Sequence, residues 1–140
     1  MAGDLDVTGL ESFIADHGYL SWLDLRLESI ERGRVEMRVP ANEDLRNPGP
    51  GGSVHGGIAA TLIDTASGFA LRTTFEDPTN ARLATTDLDV SYLRPATGDL
   101  AVEAEVLRAG GRTGVTDVVV ESDGETVAVG RTTYRLFREP

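Results

Sequence analysis

Apolar side chains recur along this chain with two periods, one helical and one of two residues, and the points where the period changes divide it into elements. From Thr8 to Gly18, Leu10, Phe13 and Ile14 recur at helical spacing behind Thr8 as a candidate N-cap, which predicts a short leading helix. Met1 to Val7, ahead of it, is expected to be frayed. Leu23, Leu25 and Leu27 then alternate with Asp24, Arg26 and Glu28, and Val35, Met37 and Val39 alternate with charged residues up to Pro40. Both runs predict half-buried strands, with Glu31 to Gly33 turning between them. The stretch from Asn42 to Ser53 holds two prolines and three glycines and predicts an irregular loop. From Val54 to about Thr74 the period is helical again, with Ile58, Ala59, Leu62, Ile63, Ala66, Phe69 and Ala70 on one stripe. Four strands in meander are expected after it, near Leu83–Leu93, Leu100–Ala109, Gly114–Glu121 and Thr126–Phe137. The order predicts one α+β domain over residues 1–140, an antiparallel sheet wrapped around one long central helix, plus the short N-terminal helix.

The long helix is expected to be covered on two faces. Opposite the apolar stripe lie Ala60, Thr61, Asp64, Ser67 and Gly68, a face that on a surface helix would be charged. The 16 residues Gly56–Leu71 carry one charge, Asp64, where a chain with 26% charged residues would place about four. Small residues there point to a second backbone packing close, and a second copy of the same helix in a closed homo-oligomer is the expected partner. Asp64 would then sit near a seam with restricted access to water, a setting that marks a carboxylate as a candidate functional group.

Composition narrows the chemistry. Asp and Glu number 23 against 13 basic residues, all of them Arg, for a net charge of -10 among 140 residues. Such a surface repels nucleic acid phosphates and anionic lipid, so neither is expected as a partner. A lysine-free, carboxylate-rich surface also predicts a salt-adapted protein from a halophilic host. With no cysteine there is no thiolate ligand or cysteine nucleophile. No leader pattern and no apolar run of membrane-spanning length is found, so a cytoplasmic location is expected. The two histidines, His17 and His55, have no metal-ligand spacing. His17 reads as a capping or surface residue, and Tyr19 and Trp22 as packing residues. Phosphate-loop, dinucleotide and nucleophile-elbow motifs do not occur.

Candidate chemistry concentrates at the start of the long helix. His55, Gly56 and Gly57 open it, where first-turn amides lack internal partners and carry the positive end of the helix dipole. Glycine admits a close ligand, so these amides suit an oxyanion formed when a carbonyl is attacked. Gly56 and Asp64 are eight residues apart, about 12 Å along one helix, too far to serve one carbonyl. Two such helices crossing antiparallel would bring Asp64 of one copy to Gly56 of the other.

The stretch HGGIAATLIDTASGFA resembles the HGG-x-x-x-x-L-x-D pattern of the PaaI-like branch of the hotdog thioesterases, and TDLDVSYLRPATGD resembles the strand that follows it there. The element order agrees over nearly the whole chain. The resemblance implies a hotdog fold, dimers often paired into tetramers, and hydrolysis of an acyl-CoA thioester without metal or organic cofactor. It makes Asp64 the general base or the nucleophile and Gly56 the oxyanion donor. By the same resemblance His55 shapes the turn or moves protons, and Thr85 orients the attacking water. Asn47 would support the thioester carbonyl, although the loop NPGPGGSVHGG is about two residues longer than the pattern. Arg94, Gly111, Arg112 and Thr113 would meet the nucleotide end of CoA, Arg offering phosphate a fork of donors. Two rivals share this architecture: a hydratase or dehydratase of acyl-thioesters, pairing an acid with His55, and a non-catalytic acyl-CoA-binding module with no need for Asp64.

Overall fold

The computed structural model describes Leu5 and residues 7–138. The fraying expected of Met1–Val7 therefore falls, except at Leu5 and Val7, outside the described residues. Helix α1, Thr8–Asp16, starts with Val7 at its N-cap position and Thr8 already helical, one residue from the expected cap. It buries Leu10 and Ile14. His17 caps helix α2, Gly18–Trp22, its Nδ1 accepting from the Leu20 N–H at 3.2 Å.

Strand β1 spans Arg26–Glu31 and β2 spans Arg34–Val39. The strand expected from Leu23 thus starts three residues late. Leu23 instead ends α2, Asp24 takes a left-handed φ of 58°, and the Leu25 N–H returns to the Leu20 carbonyl at 3.1 Å. Leu23 and Leu25 are buried because they close this turn, so the alternation there comes from a helix end rather than a pleat. Tyr19 and Trp22, expected to be packing residues, are exposed and pack by stacking on each other.

A 3₁₀ turn, Glu43–Leu45, and the glycine-rich loop lead into α3, Gly56–Arg72. The strands β3 (Arg82–Tyr92), β4 (Leu100–Ala109), β5 (Thr113–Ser122) and β6 (Glu125–Phe137) complete one six-stranded antiparallel sheet of order β1-β2-β4-β5-β6-β3. The expected four-strand meander is limited to β4, β5 and β6. Strand β3 leaves it and pairs with β6 at the far edge, because α3 carries the chain across the sheet and residues 93–99 carry it back. That return is tied down by Leu93 and Arg94 donating to the Val127 carbonyl at 2.8 and 3.3 Å, and by Val54 donating to Ala96 at 2.8 Å.

Every residue of the expected α3 stripe is buried, Leu62, Ile63, Ala66 and Ala70 completely. Burial of each such Leu or Ile contributes about 1.5–3 kcal/mol, so this helix is held by the sheet rather than by its own propensity. The approach is close because Gly130 on β6 faces Ile63 and Gly114 on β5 faces Leu71: a Cβ at Gly130 would stand 2.8 Å from Ile63 Cγ2 and 2.7 Å from the Asp89 carbonyl. Ser67 lies midway between Ile63 and Leu71 on α3, as the Thr116–Thr132 pair lies midway between Gly130 and Gly114 on the sheet. Ser67 is fully buried within the chain, so it lies outside the seam face to which its helical angle assigned it. Gly68 is buried too, and a Cβ there would come 3.1 Å from the Tyr134 hydroxyl. No helix among the described residues is long and apolar enough to cross a membrane.

Candidate active site

Asp64 sits halfway along α3 on the side facing β3 and β6, half-buried. Its Oδ1 accepts from Thr85 Oγ1 on β3 at 2.7 Å and lies 2.6 Å from the Tyr134 hydroxyl on β6. The same hydroxyl lies 2.6 Å from the Asp64 backbone carbonyl. Thr85 immediately precedes an irregularity in the β3–β6 register, between Thr85 and Asp87, which re-aims the strand beside the helix. Burial first, then the bond to Asp64, push the Tyr134 phenol above the ordinary tyrosine range, so it remains protonated and can donate. These residues open on a depression of about 480 Å³ that Thr61, Gly68 and Arg72 also line.

The start of α3 forms a second concavity of about 370 Å³, bounded by Asn47, His55, Gly56, Tyr92 and Arg94. His55 is the N-cap: its Nδ1 accepts from the Gly57 N–H at 2.8 Å, which puts the neutral ring's proton on Nε2. Its backbone donates to the Leu45 carbonyl at 2.8 Å, fixing the turn. The Gly56 N–H lies at the first helical position, where the helix supplies no acceptor. Tyr92 stands over it, donating to the Gly56 carbonyl at 2.7 Å, and a Cβ at Gly56 would come 3.2 Å from the tyrosine ring. Asn47 joins this group across the glycine loop, its N–H bonded to the Ser53 carbonyl at 2.9 Å.

One protomer thus gathers Asn47, His55, Gly56 and Arg94 around one concavity and Asp64 with Thr85 around another. Arg94 is ion-paired to Glu125 at 2.5 Å, both side chains exposed. Gly111 and Arg112 lie elsewhere, in the β4–β5 turn, and Thr113 opens β5 near the C-terminal end of α3; the Arg112 backbone carbonyl accepts from the Leu136 N–H at 2.7 Å. Arg135 is across the ladder from Thr113, and Arg82 from Phe137. Arg82, Arg112 and Arg135 make no ion pair among the described residues, unlike Arg26, Arg34, Arg38, Arg94 and Arg131.

Sequence reasoning did not single out Tyr134 or Tyr92. All three tyrosine hydroxyls of the chain bond to α3 away from its apolar stripe, Tyr19 through Thr61 Oγ1 at 2.8 Å, Tyr92 at the Gly56 carbonyl and Tyr134 at Asp64. The small residues opposite the stripe are partly explained by these rings. One available signal was the inward row Thr132, Tyr134, Leu136 on β6, where a tyrosine needs a polar partner for its hydroxyl.

A long helix wrapped by an antiparallel sheet, opened by an N-capping histidine and two glycines and carrying one mid-helix carboxylate, defines a hotdog thioesterase. The Thioesterase superfamily profile matches residues 51–129, and the chain belongs to that superfamily as a hotdog-fold member and a thioester hydrolase. It is 48% identical over 138 residues to a provisionally named esterase of Halobacterium salinarum, a halophile, covering 93% of this chain and 91% of that one. It is 31% identical over 116 residues to human acyl-coenzyme A thioesterase 13, covering 80% and 79%. The Escherichia coli PaaI protein from the phenylacetic acid degradation operon superposes with a TM-score of 0.80 over 92% of this chain and 91% of that one, at 21% identity, a likeness of fold.

Proposed function

We propose that this thioesterase hydrolyses an acyl- or aryl-CoA to the free acid and CoA, at a site completed by a second copy of the chain. The observation that carries the reading is the hydroxyl-held Asp64 on the same helix that begins with the Gly56 amide. The two lie about 12 Å apart along the axis, so neither half of the machinery is complete in one protomer. Strand β3 supports the oligomer. It is an edge strand of 11 residues, nearly all exposed, and it carries Thr85 into the site. A copy joined along that edge, with its helix running antiparallel, would bring its Gly56 amide to this Asp64. A dimer or a pair of dimers satisfies this geometry.

In the completed site the thioester carbonyl would accept from the Gly56 N–H, and Asn47 would support it from the same concavity. Asp64 would activate a water held by Thr85 or attack directly. The role left to His55 is to shape the turn, since its Nδ1 is engaged by Gly57. That engagement weighs against the hydratase reading, which needs this imidazole for proton transfer to carbon. For the phosphates of CoA, Arg112 with its neighbours Arg82 and Arg135 is better placed than Arg94, whose guanidinium is matched to Glu125. The 31% identity to human acyl-coenzyme A thioesterase 13 supports CoA as the thiol.

The test is thiol release from a panel of acyl-CoA thioesters in molar salt, comparing wild type with Asp64→Asn. The expected outcome is a loss of about 10²-fold or more in kcat with little change in KM. Equal turnover by both would remove Asp64 from the chemistry.

A further inference from the structure

The two oxygens of Asp64 are treated differently by the fold. Oδ1 is met by two hydroxyls, Thr85 at 2.7 Å and Tyr134 at 2.6 Å, and Oδ2 has no hydrogen bond among the described residues. The Tyr134 hydroxyl is equally 2.6 Å from the Asp64 backbone carbonyl, so a single phenolic proton stands between two acceptors. While Asp64 is ionised, the charge-assisted bond to Oδ1 is roughly twice as strong as a neutral one and takes the proton. Once Oδ2 is protonated that advantage disappears, and the proton can turn to the carbonyl with no heavy atom moving.

We propose that Tyr134 is a positioning residue of the hydrolysis: its phenol holds Oδ1 so that Oδ2 takes the proton of the attacking water, and turns to the Asp64 carbonyl when that proton arrives. This rests on the acyl-CoA reading above and deepens it by making Asp64 the base. Water oxygen bonds to the thioester carbon, the carbonyl electron pair moves to its oxygen, and the water proton passes to Oδ2. Collapse restores the carbonyl and breaks the C–S bond, and the departing sulfur takes the proton from Oδ2, giving acid and thiol. The other titratable or charged groups around this depression are His17, Tyr19 and Arg72. Each is engaged elsewhere: His17 with the Leu20 N–H, Tyr19 with Thr61, and Arg72 with the carbonyls of Pro78 and Thr79 at 3.0 Å.

Tyr134→Phe keeps the ring and removes the donor. It is expected to lower kcat about tenfold or more with KM within about threefold, and to move the acid limb of the kcat/KM profile to higher pH, because a bond to the charged form is lost. 3-Fluorotyrosine at position 134, a stronger donor of nearly the same shape, is expected to move that limb the other way, and serves if the Phe variant does not fold. In an Asp64→Asn background, Tyr134→Phe is expected to cost little more, whereas a purely structural role would add its full loss. A readout independent of turnover is the ¹³C chemical shift of the labelled Asp64 carboxyl, which should move when its phenolic donor is lost in Tyr134→Phe. A wild type without acyl-CoA turnover would sink the substrate reading. An unmoved carboxyl signal would overturn the role of Tyr134, whatever the turnover.

Discussion

Gly56 is the residue at which one backbone atom can be tested alone. It occupies the first helical position, where proline is tolerated because the N–H is unused by the helix. His55 before it has φ -55° and ψ 132°, the extended geometry that a following proline favours. Gly56→Pro is therefore expected to leave α3 in place, with the exposed Tyr92 ring giving way to the added carbons, while removing the proposed oxyanion donor. A fall of about 10²–10³-fold in kcat with an unchanged far-UV circular dichroism spectrum is predicted. Activity near wild type in a folded variant would assign the oxyanion to another donor. At this scale Asp64 was legible through one anomaly, a lone charge on an uncharged helix, and Gly56 through its place in the turn. Tyr134 stayed hidden because its role depends on β6 passing beside α3, a contact between residues 70 positions apart.

Among the elements, α3 was the most legible, because a buried stripe of seven apolar residues allows only one period and one face. The strands were legible where pleat and burial coincide, as in Val35, Met37 and Val39, each 1% exposed or less. The reading failed at Leu23 and Leu25, where a turn buries the same alternation, and at β3, whose pairing with β6 is decided by the crossing of α3 and not by its own residues. The crossing itself depends on small residues under the helix. Gly130→Ala would press a Cβ against Ile63 and the Asp89 carbonyl, and since that carbonyl is backbone in the β3–β6 ladder, the sheet must shift. A loss of about 1–3 kcal/mol in urea unfolding is predicted. Unchanged stability would mean that helix and sheet are not held this close.

For the whole molecule, charge and association decide behaviour. Seven ion pairs among the described residues join exposed side chains or the half-buried Arg34, and each contributes little, so they do not offset a net charge of -10. Salt should instead stabilise the fold by screening carboxylate repulsion, and the melting temperature is predicted to climb by several degrees from low to molar potassium chloride. A flat or falling curve would show that repulsion does not limit stability. The division of Gly56 and Asp64 between two concavities of one chain is legible in the sequence only through the helical rise that separates them, and it is what calls for a second copy in the proposed site.

The measurement that bears most directly on a shared site is complementation between two crippled chains. Asp64→Asn and Gly56→Pro are each inactive in this account, and reassembly of an equal mixture leaves half the dimers mixed, each with one intact site. The mixture is predicted to recover about a quarter of wild-type thioesterase activity. Mixed dimers that form, as shown by native mass spectrometry, yet hydrolyse no faster than either parent would contradict a site built from Asp64 of one copy and Gly56 of the other.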